Sequence, residues 1–437
     1  MIPFIYNNSP IPIQNLLISG REYFRHKKRY NSEFYEILDA FNRGNPNEVN
    51  ITELTSFVKN AAKSPFWKRR FQEYEVNPVS KDIITELQKL PILTRYEVDQ
   101  HFELLKVPLK EPTSYLATSG TTGKGLVFPQ TASMERKQWA VWWRFRQRFG
   151  ISFGDWMGLF GGRSVVPSNQ NKPPYWRYNH PMRQVMFSPL HLNAKTISEY
   201  YNKLRNSNLK WIHGYPSQLA FLASLIREKG FPSLPMDYVS IGSESLLPHQ
   251  IKIIEEVFEI KPIEHYGLKE GVANISLTPC GKYQIDQDFA FVEFIKSDLG
   301  ANLFKIIGTN YSNHAFPLIR YDTNDIALLD NHGEIISIEG RNDDYITLPN
   351  GVKIGRLTMI FLTATFVKEA QFYQKSLNEV EIRIVPASEY KREVHEPIIL
   401  NATRQRLGYE IDIKIRYYDK IYKPNSGKLK FVISEIR

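Results

Sequence analysis

Residues 118–125 read TSGTTGKG, and the aliphatic run Leu126, Val127, Phe128 follows directly. The stretch leaves an apolar segment of strand character, Ser114-Tyr115-Leu116-Ala117, so it is predicted to be a loop at the end of a strand. Four hydroxyl side chains and three glycines in eight residues are poor packing material. Glycines let successive backbone N–H groups converge on one anion, and the hydroxyls of Thr118, Ser119, Thr121 and Thr122 add donors. The pattern predicts a polyphosphate cradle that includes Gly120, Gly123 and Lys124. It is not a Walker loop, which places four residues between its first glycine and the Gly-Lys pair and a Ser or Thr after the lysine. Here two residues separate Gly120 from Gly123, and Gly125 follows Lys124.

Outward from this loop the chain falls into regions. Residues 1–110 read as a mostly helical lead-in, with helices predicted at 32–41, 52–62, 65–74 and 94–105. The aromatic spacing of Phe66, Trp67, Phe71 and Tyr74 predicts core. From 114 to 330 short apolar strands (115–117, 156–160, 211–213, 238–241, 262–266) alternate with amphipathic segments (132–149, 196–206, 217–229, 248–258), the pattern of a doubly wound α/β sheet. In such sheets ligands gather beyond the strand C-termini. A β-rich portion occupies about 281–340, with strands at 289–295 and 304–309. Beyond 343 a helix near 356–369 is expected, then strands at 379–385 and 411–417 around a helix near 394–407. Val380, Ile382 and Ile384 alternate with Glu379, Glu381 and Arg383, which predicts a half-exposed sheet. The fold class is therefore α/β: a large N-terminal domain, 1–342, with doubly wound sheets and a β-rich subdomain, plus a small C-terminal α+β lid domain, 343–437.

Four further motifs fall on predicted strand ends or loops. In His265-Tyr266-Gly267-Leu268-Lys269-Glu270 an aromatic beside a glycine suits stacking on a purine, and Glu270 suits a magnesium ion that bridges phosphates. Arg320-Tyr321-Asp322-Thr323-Asn324-Asp325 offers Asp325 as a bidentate acceptor for vicinal ribose hydroxyls. Gly340-Arg341-Asn342-Asp343-Asp344 lies where the lid begins, with Arg341 placed for ribose or phosphate and Asp343 for a hinge. Pro424-Asn425-Ser426-Gly427-Lys428 puts a lysine on a glycine-bearing loop, able to meet charge that develops as pyrophosphate leaves.

Composition narrows the function classes. Of 437 residues, 42% are hydrophobic and 23% charged, as in an ordinary soluble globular protein. No apolar run approaches a membrane span and the N-terminus lacks a signal-peptide pattern, so no membrane span and a cytoplasmic location are expected. A single cysteine, Cys280, rules out a disulfide framework and a cysteine-rich zinc site, so no zinc is expected; Cys280 itself is predicted to be a small buried residue. The net charge of +10 is spread over the chain, with short clusters at 25–29 and 68–70. No nucleic-acid motif accompanies it, and it reads mostly as solvated faces, with guidance of ATP, coenzyme A or a nucleotide sugar by part of it as the alternative.

The five motifs, in this order and spacing, resemble the adenylate-forming superfamily across residues 90–437. Within it the chain is similar to the phenylacetate-coenzyme A ligase branch and to that branch's members assigned to capsular polysaccharide biosynthesis, through Leu90-Pro91-Ile92-Leu93-Thr94, Gly161-Gly162-Arg163, Pro174-Tyr175-Trp176-Arg177 and Gly214-Tyr215-Pro216-Ser217. The resemblance implies that Ser119, Gly120, Thr121, Thr122 and Gly123 cradle the ATP phosphates. It places Gly242, Ser243 and Glu244 beside the adenine, Tyr266 and Gly267 against it, Asp325 and Arg341 on the ribose, and Glu270 near Mg2+. It implies a catalytic set of Lys428, Glu270 and Thr121, a hinge at Asp343, and a carboxylate pocket lined from Trp142, Tyr215, Pro216, Ser217 and His265. The chain departs from the family pattern at Lys124-Gly125-Leu126, at Asn324 where glycine is usual, and at Lys269 where a small hydroxyl residue is usual. The implied activity is AMP-forming ligation of a small carboxylic acid to coenzyme A, with transfer of the acyl group to an amino sugar or a carrier protein as the alternative. The rival on the same fold is a non-catalytic nucleotide-binding assembly protein.

Overall fold

In a computed structural model of the chain, residues 2–111, 113–118, 126–161, 165–167, 169–244, 246–300, 302–341, 345–349, 353–354, 357–361, 364, 366–423 and 429–436 are described. The contacts divide the chain into two units: Met1–His26, Phe153–Glu264 and Asn342–Arg437 in the first, Lys27–Ser152 and His265–Arg341 in the second.

The first unit contains a run of strands in the order Tyr238–Gly242, Trp211–Gly214, Met157–Phe160, Gln184–Phe187, Trp176–Asn179. The first four run parallel and the last pairs antiparallel. Parallel pairing demands crossover connections: helix Ile197–Arg205 links Gln184–Phe187 to Trp211–Gly214, helix Pro216–Glu228 links that strand to Tyr238–Gly242, and helix Pro248–Phe258 follows the last of these. Phe160, Ile212, Val239 and Ile241 are buried with Tyr200, Leu219, Leu222, Ile253 and Phe258 of those helices. The last part of this unit is a separate four-stranded sheet in the order Asp412–Tyr417, Glu379–Pro386, Val367–Ser376, Val432–Ser434. Strand Glu379–Pro386 alternates as its sequence predicts, with Val380, Ile382 and Ile384 fully buried. Helix Arg392–Leu407 bridges the parallel pair Glu379–Pro386 and Asp412–Tyr417. The helix predicted near 356–369 is corrected: a short 3-10 turn, Leu357–Phe361, is followed by strand Val367–Ser376. The strand buries Glu369, Gln371 and Gln374 beside Val367, Ala370 and Phe372, so its burial does not follow an apolar period that the sequence displays.

The second unit opens with helices Ser32–Arg43, Ile51–Ala61, Pro65–Glu73 and Ile83–Gln88. The helix expected over 94–105 is broken at His101 into Arg95–Gln100 and Phe102–Leu105, after a start fixed by the Thr94–Glu97 capping box. Phe66, Trp67 and Phe71 lie in a core shared with Tyr311, Phe316, Leu318 and Ile319, and the Trp67 indole donates to the Pro317 carbonyl at 2.9 Å. Strand Thr113–Ala117 pairs antiparallel with Val127–Thr131 in a two-stranded ribbon. Helix Ala132–Arg148 follows. A four-stranded antiparallel sheet, Ala290–Lys296, Leu303–Asn310, Tyr321–Leu329 and Ile335–Arg341, makes the β-rich portion. Gly308 is required there, because a Cβ would lie 2.0 Å from the Val272 carbonyl oxygen. Cys280 is exposed, against expectation: it sits in the tight turn that joins Asn274–Leu277 to Tyr283–Ile285, 3.0 Å from the Thr278 hydroxyl.

Candidate functional site

In the second unit, three of the residues singled out above converge. The Tyr266 hydroxyl donates to Asp325 Oδ2 at 2.8 Å. Burial, and then the Asp325 charge, push the phenol far above its ordinary range, so it stays a neutral donor. Asp325 is in turn the Cα register partner of Arg341, the last residue of strand Ile335–Arg341. A ring suited to a purine and a carboxylate suited to a ribose thus adjoin although 59 residues apart in sequence.

Asn324, just before that carboxylate, has φ of 61°. Its N–H donates to Asp322 Oδ1 at 2.8 Å, and the Asp325 N–H donates to Thr323 Oγ1 at 3.1 Å. The family's glycine is explained by the left-handed backbone, and asparagine is the side-chain-bearing residue that adopts it most readily. Arg320, in the same motif, is structural: it makes two 3.0 Å contacts to Glu293 and donates to the Gln88 carbonyl at 3.1 Å.

The base of the glycine-rich loop is closed twice. Thr118 N–H donates to the Leu126 carbonyl and Leu126 N–H donates to Thr118 Oγ1, both at 2.8 Å. Ser119, Gly120, Thr121, Thr122, Gly123 and Lys124 lie outside the described residues. Lys269 Nζ donates to the Ala117 carbonyl at 2.7 Å, which sets an ammonium at the strand end that enters the loop. The segment around Lys269 is pinned on both sides: Gln138 donates to the Leu268 carbonyl at 2.9 Å and Asn310 to the Glu270 carbonyl at 2.6 Å. Glu270 is buried. Among the described residues no group of three His, Cys, Asp or Glu side chains is arranged to hold a metal. A single carboxylate fits a magnesium ion carried mainly by substrate phosphates and does not fit a protein-built metal cage.

His265 lies between the rings of Trp142 and Phe145, at 5.8 and 5.4 Å. Its Nε2 donates to Asn274 Oδ1 at 2.6 Å; the Asn274 amide donates to Asp286, and Asp286 takes Arg144 at 2.6 Å. Burial pushes the imidazole down to about 4, so it is neutral at neutral pH. Gly267 permits the packing, since a Cβ there would lie 2.9 Å from His265 Cε1 and 3.2 Å from Trp142 Nε1. Trp142 Nε1 is buried with no hydrogen-bond partner among the described residues, whereas Trp143 is core and donates to the Tyr30 hydroxyl at 3.2 Å. Asn274, Asp286 and Arg144 carry no sequence signal of this role, because each looks like an ordinary polar position until the long-range pairing is seen.

In the first unit, Tyr215, Pro216 and Ser217 form the start of helix Pro216–Glu228. Gly214 before them is a packing glycine, since a Cβ would come 2.7 Å from the Phe160 carbonyl oxygen. Gly242, Ser243 and Glu244 leave strand Tyr238–Gly242, with Ser243 at a φ of 71°. The Glu244 carboxylate accepts Ser217 N–H at 3.1 Å and Leu429 N–H at 2.7 Å. An anion at a helix N-terminus is favourable, and burial raises the carboxyl's pKa, offset in part by Lys423 and these amides. Lys428 and Asp343 lie outside the described residues, as does the side chain of Arg341. At its other end, helix Pro216–Glu228 meets the C-terminal sheet through Glu228, which takes Lys368 Nζ at 2.8 Å and Ser388 N–H at 3.1 Å.

Residues 346–435 match the family described as the CapK C-terminal domain. The chain is 24% identical over 455 aligned positions to Protein CapK of Staphylococcus aureus, covering 100% of each. It is 24% identical to phenylacetate-coenzyme A ligase of Thermus thermophilus, over 83% of this chain and 88% of that one. A crystal structure of 2-hydroxyisobutyryl-CoA ligase in the postadenylation state with 2-HIB-AMP superposes with a TM-score of 0.66 at 16% identity, over 88% of this chain and 89% of that one. The chain has the fold of the adenylate-forming ligases, and its sequence resembles their phenylacetate-coenzyme A ligase branch. Asn324 holds the left-handed backbone that a glycine at this position of the adenylate-forming pattern would also adopt. Lys269 sets a cation at the base of the glycine-rich loop, at the position where the phenylacetate-coenzyme A ligase branch usually has a hydroxyl residue.

Proposed function

We propose that this chain is an ATP-dependent, AMP-forming carboxylate ligase that passes its acyl group to coenzyme A, in the formation of a surface polysaccharide such as a capsule. The observation that carries the reading is the junction of Tyr266, Asp325 and Arg341, which matches a purine-ribose site, next in sequence to Lys269 and Glu270 for the phosphates. The CapK relative supports the pathway, and the coenzyme A ligase relatives and fold support the acceptor.

In the first step a carboxylate oxygen of the acid attacks the α-phosphorus of ATP, the bond to the β-phosphate oxygen breaks, and pyrophosphate leaves with that electron pair. The loop amides of residues 119–123, Lys269 and Lys428 meet the charge that develops. A magnesium ion held at Glu270 would neutralise phosphate charge when bound. His265, neutral and fixed by Asn274, stands with Trp142 as a wall of the acid pocket. In the second step the thiol attacks the acyl carbonyl and AMP departs, with residues 343–437 acting as a lid that turns about Asp343.

Carboxylate-dependent exchange of labelled pyrophosphate into ATP tests the first step. One acid in a panel of small carboxylates is expected to support exchange, and Lys428→Ala to lower it by about 10²-fold or more. If ATP binds by calorimetry but no acid supports exchange, and Lys269→Ser does not restore it, the ligase reading fails in favour of a nucleotide-binding assembly protein. Adenylate that an amino sugar or carrier protein consumes, and coenzyme A does not, would change the acceptor and leave the first step standing.

A further inference from the structure

Helix Ile11–Arg29 is built inside out. Its inward face is mostly polar, with Ile18 packed against Val165, Val166 and Met186: Gln14 is buried, donates to the Tyr6 and Ser9 carbonyls at 3.1 and 2.9 Å and accepts Arg177 Nε at 2.6 Å. Asn15 Oδ1 accepts Tyr178 N–H at 2.9 Å, Ser19 Oγ accepts His180 N–H at 3.3 Å, and Glu22 is buried and paired with Arg25 at 3.1 Å. Its solvent face is apolar. Leu16 is 66% exposed, Tyr23 54% and Phe24 74%, and Ile13 and Leu17 stand beside them. At 3.6 residues per turn these five side chains share one half of the helix with Gly20, where a Cβ would meet nothing within 4 Å.

The same outward half carries exposed Arg21, Lys27 and Lys28 and no acid, since Glu22, the helix's single acidic residue, is turned inward. Charge decides the occupant. A second copy docked through this face would oppose its basic stripe to an identical one, whereas an anionic bilayer supplies both an apolar layer and negative headgroups. No described helix is long and apolar enough to cross a membrane, so the mode is interfacial. We infer that helix Ile11–Arg29 is a membrane-surface anchor that lies in the headgroup region of an anionic bilayer, with Leu16, Tyr23 and Phe24 inserted and Arg21, Lys27 and Lys28 at the phosphates.

The inference is independent of the ligase reading and is tested by flotation of the full chain with lipid vesicles. The protein is expected to float with phosphatidylcholine vesicles that contain roughly a third phosphatidylglycerol, not with phosphatidylcholine alone, and to be released as salt rises. Leu16→Ser with Phe24→Ser is expected to weaken binding by about tenfold or more, and Arg21→Glu with Lys28→Glu to do the same. Both pairs are exposed, so their gel-filtration profile and near-ultraviolet circular dichroism should match the parent. No flotation with anionic vesicles, or flotation unchanged by both variants, overturns the anchor. A concentration-dependent dimer that Leu16→Ser with Phe24→Ser dissolves, without lipid binding, would assign the face to a second copy instead.

Discussion

Asn324 is where backbone conformation and candidate chemistry meet in one residue. Its φ of 61° lies where glycine and asparagine are tolerated and β-branched residues are strained. Asn324→Gly should therefore leave stability within about 0.5 kcal/mol and ATP affinity unchanged. Asn324→Val should cost about 1–2 kcal/mol and weaken ATP binding, because the next residue, Asp325, is held at Tyr266 by this backbone. Urea unfolding and calorimetric ATP titration read both effects; a valine variant that behaves like the glycine variant would show that position 324 does not place Asp325. The sequence marks Asn324 as a departure from the family. Only the backbone dihedral shows it to be a conservative one.

Among the elements, helix Ala132–Arg148 lies close to the segment that its hydrophobic period marks, yet the period says nothing of what its charges do. Arg144 is buried and joined to Asp286 at 2.6 Å and Asp288 at 2.7 Å, both more than 140 residues away. Through Asp286 and Asn274 the same network orients His265. Removing one partner of a buried ion pair leaves an uncompensated charge, so Asp286→Ala should destabilise by about 3–5 kcal/mol, with Asp286→Asn milder because it keeps an acceptor for one neighbour. A shift of the urea midpoint within the range of ordinary surface substitutions would mean that Asp288 alone neutralises Arg144. The C-terminal sheet gives the opposite lesson: strand Glu379–Pro386 is legible because buried apolar residues alternate with wetter polar ones, whereas Val367–Ser376 is not, because it buries Glu369, Gln371 and Gln374.

For the molecule as a whole, acid stability follows from buried imidazoles. His249, near the start of helix Pro248–Phe258 and packed toward Phe361, is 3% exposed, and burial pushes it down to about 4. A lowered folded-state value means that the unfolded chain takes up the proton first, near 6.5. The stability held at neutral pH is then full above about pH 6.5 and is lost as pH falls toward 4, by roughly 3 kcal/mol for this group. His265 acts in the same direction. Thermal unfolding should be flat with pH above neutrality and steepen between 6.5 and 4, and His249→Leu should make that slope shallower. An unchanged slope would place the acid sensitivity elsewhere. What the sequence determined by itself was local: the alternating strands and helices, and in the C-terminal sheet the strands Glu379–Pro386 and Asp412–Tyr417 with the helix between them. Those features follow from residue spacing along one element, and spacing is what periodicity records. The tertiary structure alone decided what each face meets: the polar face of helix Ile11–Arg29 turned inward, Arg144 buried, Cys280 exposed, and Glu244 set between Ser217 and Leu429. The physical reason is that a polar group can be buried when a partner reaches it, and the partners here, such as Arg177 for Gln14 at a separation of 163 residues, are brought up only by the fold.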